Sequence, residues 1–431
     1  AEHNGVQIIA FAARQFVDQF QSSGQFYGVD TITAVSNGSQ IMHMMTVIIV
    51  GLAMGTTVTI GHSVGAKCME QAEKIIGNTI TLFMGIAVAF TVILVVLVKP
   101  IVVLIATPQE AVAGTSIYLL ICFIGIPFIT AYNIISSIFR GLGDSKSPMY
   151  FIGIACVMNI ALDYLFMGAF HMGAAGAALG TVCAQTFSVL VALWVIRRRK
   201  TGISLKKSDF KIERAVIGQV LKIGIPVALQ DGFIQVAFMI ITVIANSRGV
   251  SDAAAVGVVE KVISALFIVP SSMLATVSAL SAQNLGAGKE KRATDTLRYA
   301  TVITTIYGVI VAVLIQFIAE NVVGIFTSDT TVVTMGSAYI RSYIWDCIFA
   351  GIHFSFSGYF AACGKSYIGF LHNIISITFV RVPGSYLASK YFTDTLYPMG
   401  LAAPAGSLVS VAICVTAFIL LKRKSRVAQT V

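Results

Sequence analysis

"TITLFMGIAVAFTVILVVLV", residues 79–98, runs for a full helical span without one charged side chain. At a rise of about 1.5 Å per residue such a segment covers about 30 Å as a helix, the thickness of a bilayer's hydrocarbon core. Similar runs recur at 117–136, 182–196, 302–318 and 408–421. The whole chain of 431 residues is 57% hydrophobic and only 11% charged, whereas a soluble globular protein carries about 25% charged residues. A water-soluble reading would leave two or more domains with almost no charged surface. The chain therefore reads as an all-α, polytopic membrane protein.

Charges, glycines and prolines divide the sequence into twelve expected transmembrane helices, near residues 5–27, 31–62, 72–98, 110–139, 148–168, 174–196, 215–247, 253–283, 293–321, 331–361, 366–390 and 399–421. The first is unusually polar, with Arg14 and Asp18 among several glutamines, and the chain is expected to begin inside or just before it. Of the 29 Lys and Arg, twenty fall in alternate connections or in the tail. They include the stretch "RRRKTGISLKKSDFKIER" at 197–214 and "KRKSR" at 422–426. The positive-inside rule then places both termini and the 197–214 loop in the cytoplasm. The net charge of +10 reflects this bias and not a nucleic-acid footprint; basic residues beside a membrane also meet anionic lipids. Seven scattered cysteines show no metal-ligand or redox spacing.

The sequence also matches itself at an offset of 221 residues. "HSVGAKCMEQA" (62–72) falls on "QNLGAGKEKRA" (283–293), and "GVDTITAV" (28–35) on "GVSDAAAV" (249–256). Tyr118 falls on Tyr339, Phe139 on Phe360, and Gly143 and Ser145 on Gly364 and Ser366. Such agreement at one register indicates duplication. Six spans per half, an even number, make the two halves a parallel repeat, an arrangement common in secondary transporters. The expected domains are an N-terminal six-helix lobe at 1–196, a cytoplasmic linker at 197–214 acting as hinge, a C-terminal six-helix lobe at 215–421 and a basic tail at 422–431.

Several motifs in order resemble the multidrug and toxic compound extrusion family of cation-coupled efflux transporters. They are "FVDQF" (16–20), "GLAMGTTVTIGHSVGAK" (51–67), "RGLGDSKSP" (140–148), "NIALD" (159–163), "GAALGT" (176–181), "GIP" (224–226) and "SAQNLGAGK" (281–289). The resemblance implies two six-helix lobes, alternating access, and export of amphipathic, often cationic, organic compounds driven by H+ or Na+. It also implies a first-lobe coupling site at Asp18, Asn159, Asp163 and Thr181. The sequence departs from the family pattern in its second lobe. No acid stands at the usual place in the seventh helix, where Asp231 is close by, and Asp346 is near the usual position in the tenth.

The residues themselves sharpen that expectation. An aspartate at the centre of a membrane helix costs about 2.5–3.5 kcal/mol on insertion scales and so faces a cavity or a partner. Asp163 has Asn159 one turn away on the same face, and burial disfavours the charged form of an acid. The site is thus expected to carry a proton, or Na+ held by the oxygens of the same four residues. The alternative is a neutral Asp163 that only hydrogen-bonds a neighbouring helix. Asp18 has the alternative of a solvated terminal acid. Asp231, Glu260, Asp346 and His353 are substrate or second-lobe candidates, each with ordinary helix contacts as its alternative. No cofactor and no metal beyond Na+ is expected. The Gly-rich pieces "GLGDSKSP" and "GAGKEK" lack the strand that precedes a phosphate loop. They read as turns that end helices.

The expected function is a monomeric secondary active antiporter of the inner (plasma) membrane, surrounded by lipid and exporting small organic cations, with no nucleic-acid partner. A lipid-linked precursor flippase is the alternative, but it should carry a strongly cationic cavity, and only Arg14, Arg341 and Arg381 are intramembrane arginines. An integral membrane enzyme would need a catalytic constellation near one face, and none is legible.

Overall fold

The computed structural model describes residues 28–105, 107–198 and 205–430. The expected first span, with Arg14 and Asp18, lies outside the described residues. Everything regular among them is helical, as lipid demands: with no water to satisfy a backbone N–H or C=O, each segment must close its own hydrogen bonds.

The first half runs α1 (Val29–Gly65), α2 (Met69–Leu104), α3 (Gln109–Ile124), α4 (Ile126–Leu142), α5 (Lys146–Asp163) and α6 (Gly173–Arg198). The second runs α7 (Arg214–Asn246), α8 (Val250–Leu266), α9 (Ile268–Gly286), α10 (Glu290–Gly324), α11 (Thr330–Tyr343), α12 (Asp346–Ala362), α13 (Ser366–Ser376), α14 (Val382–Tyr391) and α15 (Tyr397–Thr430). Helix starts reproduce the sequence offset: residue 29 answers 250, 69 answers 290 and 109 answers 330. Both halves also insert a π-helical turn in the corresponding helix, though not at the same register, at Tyr164–Ala169 after α5 and at Ile377–Arg381 after α13.

Eight helices among the described residues are long and apolar enough to cross a membrane, and the pair α3–α4, bent by 50°, makes a ninth. The bend has a local cause. Gly125 stands at the break, Pro127 follows inside the first turn of α4, and a proline ring there cannot continue the preceding helix. A Cβ at Gly125 would lie 2.4 Å from Val182 of α6, so the break is also where another helix presses in. The spans expected at 331–361 and 366–390 are helical but interrupted, at Ile344–Trp345 and at the second π turn. Arg341, Asp346 and His353 in one, and His372 and Arg381 in the other, dilute their hydropathy.

Contacts divide the chain into two compact units, Ala1–Leu221 and Lys222–Val431. The division falls inside α7 rather than in the 197–214 linker, because the described part of that linker is fastened to the first unit. Lys207–Phe210 forms a 3-10 turn on top of α2. The Asn78 amide donates to the Asp209 carbonyl (3.1 Å), its oxygen accepts from the Glu213 backbone (2.7 Å), and the Thr81 hydroxyl donates to the Phe210 carbonyl (3.0 Å). Gly77 makes the close approach feasible, since a Cβ there would lie 2.3 Å from the Asp209 carbonyl oxygen. Residues 205–213 of the expected linker thus form a strap bound to the first unit.

Candidate ion and substrate sites

Asp163 closes α5, immediately before the first π turn. It is 3% exposed and Asn159 is 7% exposed, so both are withdrawn from lipid and water. The Asn159 amide donates to Asp163 Oδ1 at 3.4 Å, the contact that their i, i+4 spacing allows. Gly180 of α6 lies directly against the pair: a Cβ there would sit 2.2 Å from Asp163 Oδ1 and 3.5 Å from the Asn159 amide nitrogen. Only a residue without a side chain lets this carboxylate reach so close to the α6 backbone.

Thr181, next along α6, donates its hydroxyl to the Ala177 carbonyl (3.1 Å), which leaves its lone pairs for another donor. The buried Tyr118 of α3 reaches both Thr181 and Cys122 and is close enough to feel the charge of Asp163. Tyr118 is in turn held by α1, where a Cβ at Gly38 would fall 2.3 Å from its ring. Three of the four expected first-lobe residues, Asn159, Asp163 and Thr181, therefore converge where α5 and α6 meet. Asp18 is the fourth and lies outside the described residues.

The second unit gathers a different set. Asp346, the first residue of α12, is 1% exposed, and its carboxylate meets the Ser407 hydroxyl. Arg381, closing the second π turn, hydrogen-bonds the Tyr343 hydroxyl. Its guanidinium lies 5.0 Å from the Phe238 ring centre and 5.5 Å from that of Tyr343, a cation–π arrangement suited to a desolvated arginine. The charges of Asp346 and Glu260 both reach Arg381. Glu260 accepts from the Thr242 hydroxyl at 3.3 and 3.5 Å. His353 meets the Ser407 hydroxyl at 3.5 Å, and its ring centre lies 5.4 Å from that of His372.

Glu260, Asp346 and His353 thus belong to one polar group. Asp231 does not: it is half-buried on α7, and no hydrogen bond or ion pair among the described residues joins it to either cluster. Arg341 is paired at the surface with Glu320 (3.2 Å). Sequence reasoning missed Gly180, Tyr118, His372 and the position of Arg381. Arg381 was legible only as a charge in an apolar span, while Gly180 sat unmarked inside the quoted motif "GAALGT". No group of three or more metal-ligating side chains occurs among the described residues.

A twice-repeated bundle of membrane helices with acids buried inside each repeat is the architecture of a secondary transporter. The MatE family profile matches residues 5–165 and 226–387, so the chain belongs to this family, the multidrug and toxic compound extrusion transporters. The resemblance read from the motifs is borne out. A probable multidrug resistance protein, YpnP of Bacillus subtilis (strain 168), is 29% identical over 388 residues, covering 90% of this chain and 86% of that one. The probable multidrug resistance protein NorM of Thermotoga maritima is 23% identical over 375 residues, 85% of this chain and 80% of that one. A crystal structure of a MATE protein in complex with MaL6 superposes with a TM-score of 0.89 at 18% identity, covering 98% of this chain and 95% of that chain. This last likeness supports the fold.

Proposed function

We propose that this multi-pass membrane protein is a cation-coupled antiporter that exports amphipathic organic cations, drugs or toxins by alternating access. The observation that carries the reading is the buried Asn159–Asp163 pair set against Gly180. Such a carboxylate is expensive to insert, and no Lys or Arg among the described residues pairs with it, so a mobile cation, H+ or Na+, is its natural partner. The names of the relatives, multidrug resistance proteins, support drug export.

In this reading Asp163 takes up the coupling ion from one side and gives it up to the other. Asn159 orients the carboxylate, and Thr181 adds an oxygen. Substrate and ion favour different faces of the cycle, and each shifts the equilibrium only by its differential affinity for the two states. A buried carboxylate such as Asp163 attracts unlike charge strongly in low dielectric, which favours cationic guests. The protein works as a monomer in the inner membrane, with both termini and the strap in the cytoplasm, following the basic residues.

The test is efflux of a fluorescent lipophilic cation from proteoliposomes under a pH gradient and a Na+ gradient imposed separately. One of the two gradients should drive export, and anions of similar size should not be exported. Export that ignores both gradients, or that prefers anions, contradicts the proposal.

A further inference from the structure

We propose that the strap at residues 205–213 is an anchor for anionic phospholipid. Lys206, Lys207 and Lys211 take up headgroup phosphates, while Leu205, Phe210 and Ile212 enter the edge of the acyl layer. The inference does not depend on which ion or substrate the transporter carries.

The depth of the strap is the first observation. It is held on α2 at Gly77, Asn78 and Thr81, and Thr79 opens the uncharged run that matches the hydrocarbon core. Steps of three or four residues stay on one face of a helix, and from Thr81 they lead to Gly85, Val88, Val92 and Val96. Those three valines are each more than half exposed, so this is the face that α2 turns to lipid. From Thr81 to Val88 is about 10 Å along the helix, and a headgroup layer is about 5–8 Å thick on each side of the core. The strap therefore lies at headgroup depth, directly above a lipid-facing stripe.

What the strap shows to that layer is the second. Leu205, Phe210 and Ile212 are 41%, 39% and 61% exposed. Single apolar residues on a surface need no account, but three in so short a strap beside a lipid face do. Lys206, Lys207 and Lys211 stand between them and are also exposed, and none has an acid within ion-pair reach among the described residues. Arg214 adds a further exposed positive charge where α7 begins.

The acids of the strap are turned away from this surface. Asp209 is buried, and its carboxylate accepts from the Lys206 backbone N–H at 2.7 Å and from the Ser208 hydroxyl at 3.4 Å. Glu213 pairs with Lys74 of α2 at 3.9 Å. Glu70 borders the same hollow as Glu213, two turns before Gly77 and so farther from the core. What faces the bilayer is thus basic and apolar together.

That combination selects the partner. Lysine stems lie along an apolar boundary while their ammonium groups reach into the headgroups. Apolar and basic residues held together at this depth make an interfacial segment, and the negative surface potential of anionic lipids attracts each lysine. Zwitterionic headgroups offer phosphate without net charge and should bind less.

The experiment uses the full chain carrying Trp194→Phe, Trp345→Phe and Phe210→Trp, so that the strap holds the sole tryptophan. It is reconstituted in vesicles of phosphatidylcholine and phosphatidylglycerol in equal amounts, with bromine on the acyl chains of one lipid or the other. Fluorescence quenching then reads which lipid lies against residue 210. Brominated phosphatidylglycerol should quench several-fold more strongly, since each lysine contributes up to about fivefold in preference. The preference should shrink at high salt. It should survive inorganic phosphate at matched ionic strength, and displacement by that phosphate would mean a free-anion site instead. Replacing all three lysines, by Lys206→Gln, Lys207→Gln and Lys211→Gln, should abolish the preference in protein that still elutes as folded. Equal quenching by both lipids before that replacement, quenching by neither, or a preference unchanged after it overturns the inference.

Discussion

A carboxylate oxygen that would lie 2.2 Å from any Cβ on Gly180 ties the chemistry of Asp163 to a neighbour with no chemistry of its own. Gly180→Ala must push the carboxylate off the α6 backbone or pull it from Asn159. Overpacking of this kind costs about 1–3 kcal/mol, which the fold can bear, but a displaced coupling group cannot work at full rate. The variant should elute as a folded protein and export about tenfold more slowly, on the scale of a small loss of positioning; wild-type efflux would show that the contact does not matter. The Asn159–Asp163 spacing was legible in the sequence because four residues make one helical turn. The role of Gly180 was not, since a glycine in an apolar helix looks the same whether it faces lipid or an acid. For a like reason Arg381 read as an isolated charge: its partners Phe238, Tyr343 and Glu260 come from helices far away in sequence.

Breaks and turns decide what each helix can hold. The two π turns occupy equivalent helices, and a buried charged residue adjoins each, Asp163 before the first and Arg381 at the end of the second. Single π turns inside helices often mark functional sites. Hydropathy located most spans and their order, yet it averages over a window and cannot register the break at Phe267 between α8 and α9 or the widened turns. The strap was not legible for a related reason. Basic composition marked a cytoplasmic linker, but the Asn78 side chain and the close approach at Gly77 that hold residues 205–213 against α2 leave no trace in composition. Gly77→Ala would thrust a Cβ into the Asp209 carbonyl, a backbone atom that cannot swing aside. The strap, which carries Lys206, Lys207 and Lys211, should then be cut by trypsin several-fold faster, following the loss of its hydrogen bonds, each worth about 1 kcal/mol. An unchanged cleavage rate would contradict the strap.

Duplication organises the whole chain, and here the sequence was most informative: helix starts fall at the offset that the motifs established, because both halves must meet the same membrane. The boundary between units was less legible, since α7 runs unbroken through it. Orientation is open to a direct check. With exposed Cys68 replaced by serine, Lys211→Cys should react with an impermeant thiol reagent in inside-out vesicles and not in intact cells; labelling of intact cells would overturn the cytoplasmic placement. The central claim is that an ion taken up and released by Asp163 drives export. Asp163→Asn preserves size and hydrogen bonding while removing the ionisable group, so insertion and folding should survive, as size-exclusion elution would confirm. The decisive measurement is gradient-driven efflux of a lipophilic cation from proteoliposomes, normalised to folded protein. The account predicts that Asp163→Asn falls to the rate of protein-free vesicles, and export at the wild-type rate under the same gradient would contradict it.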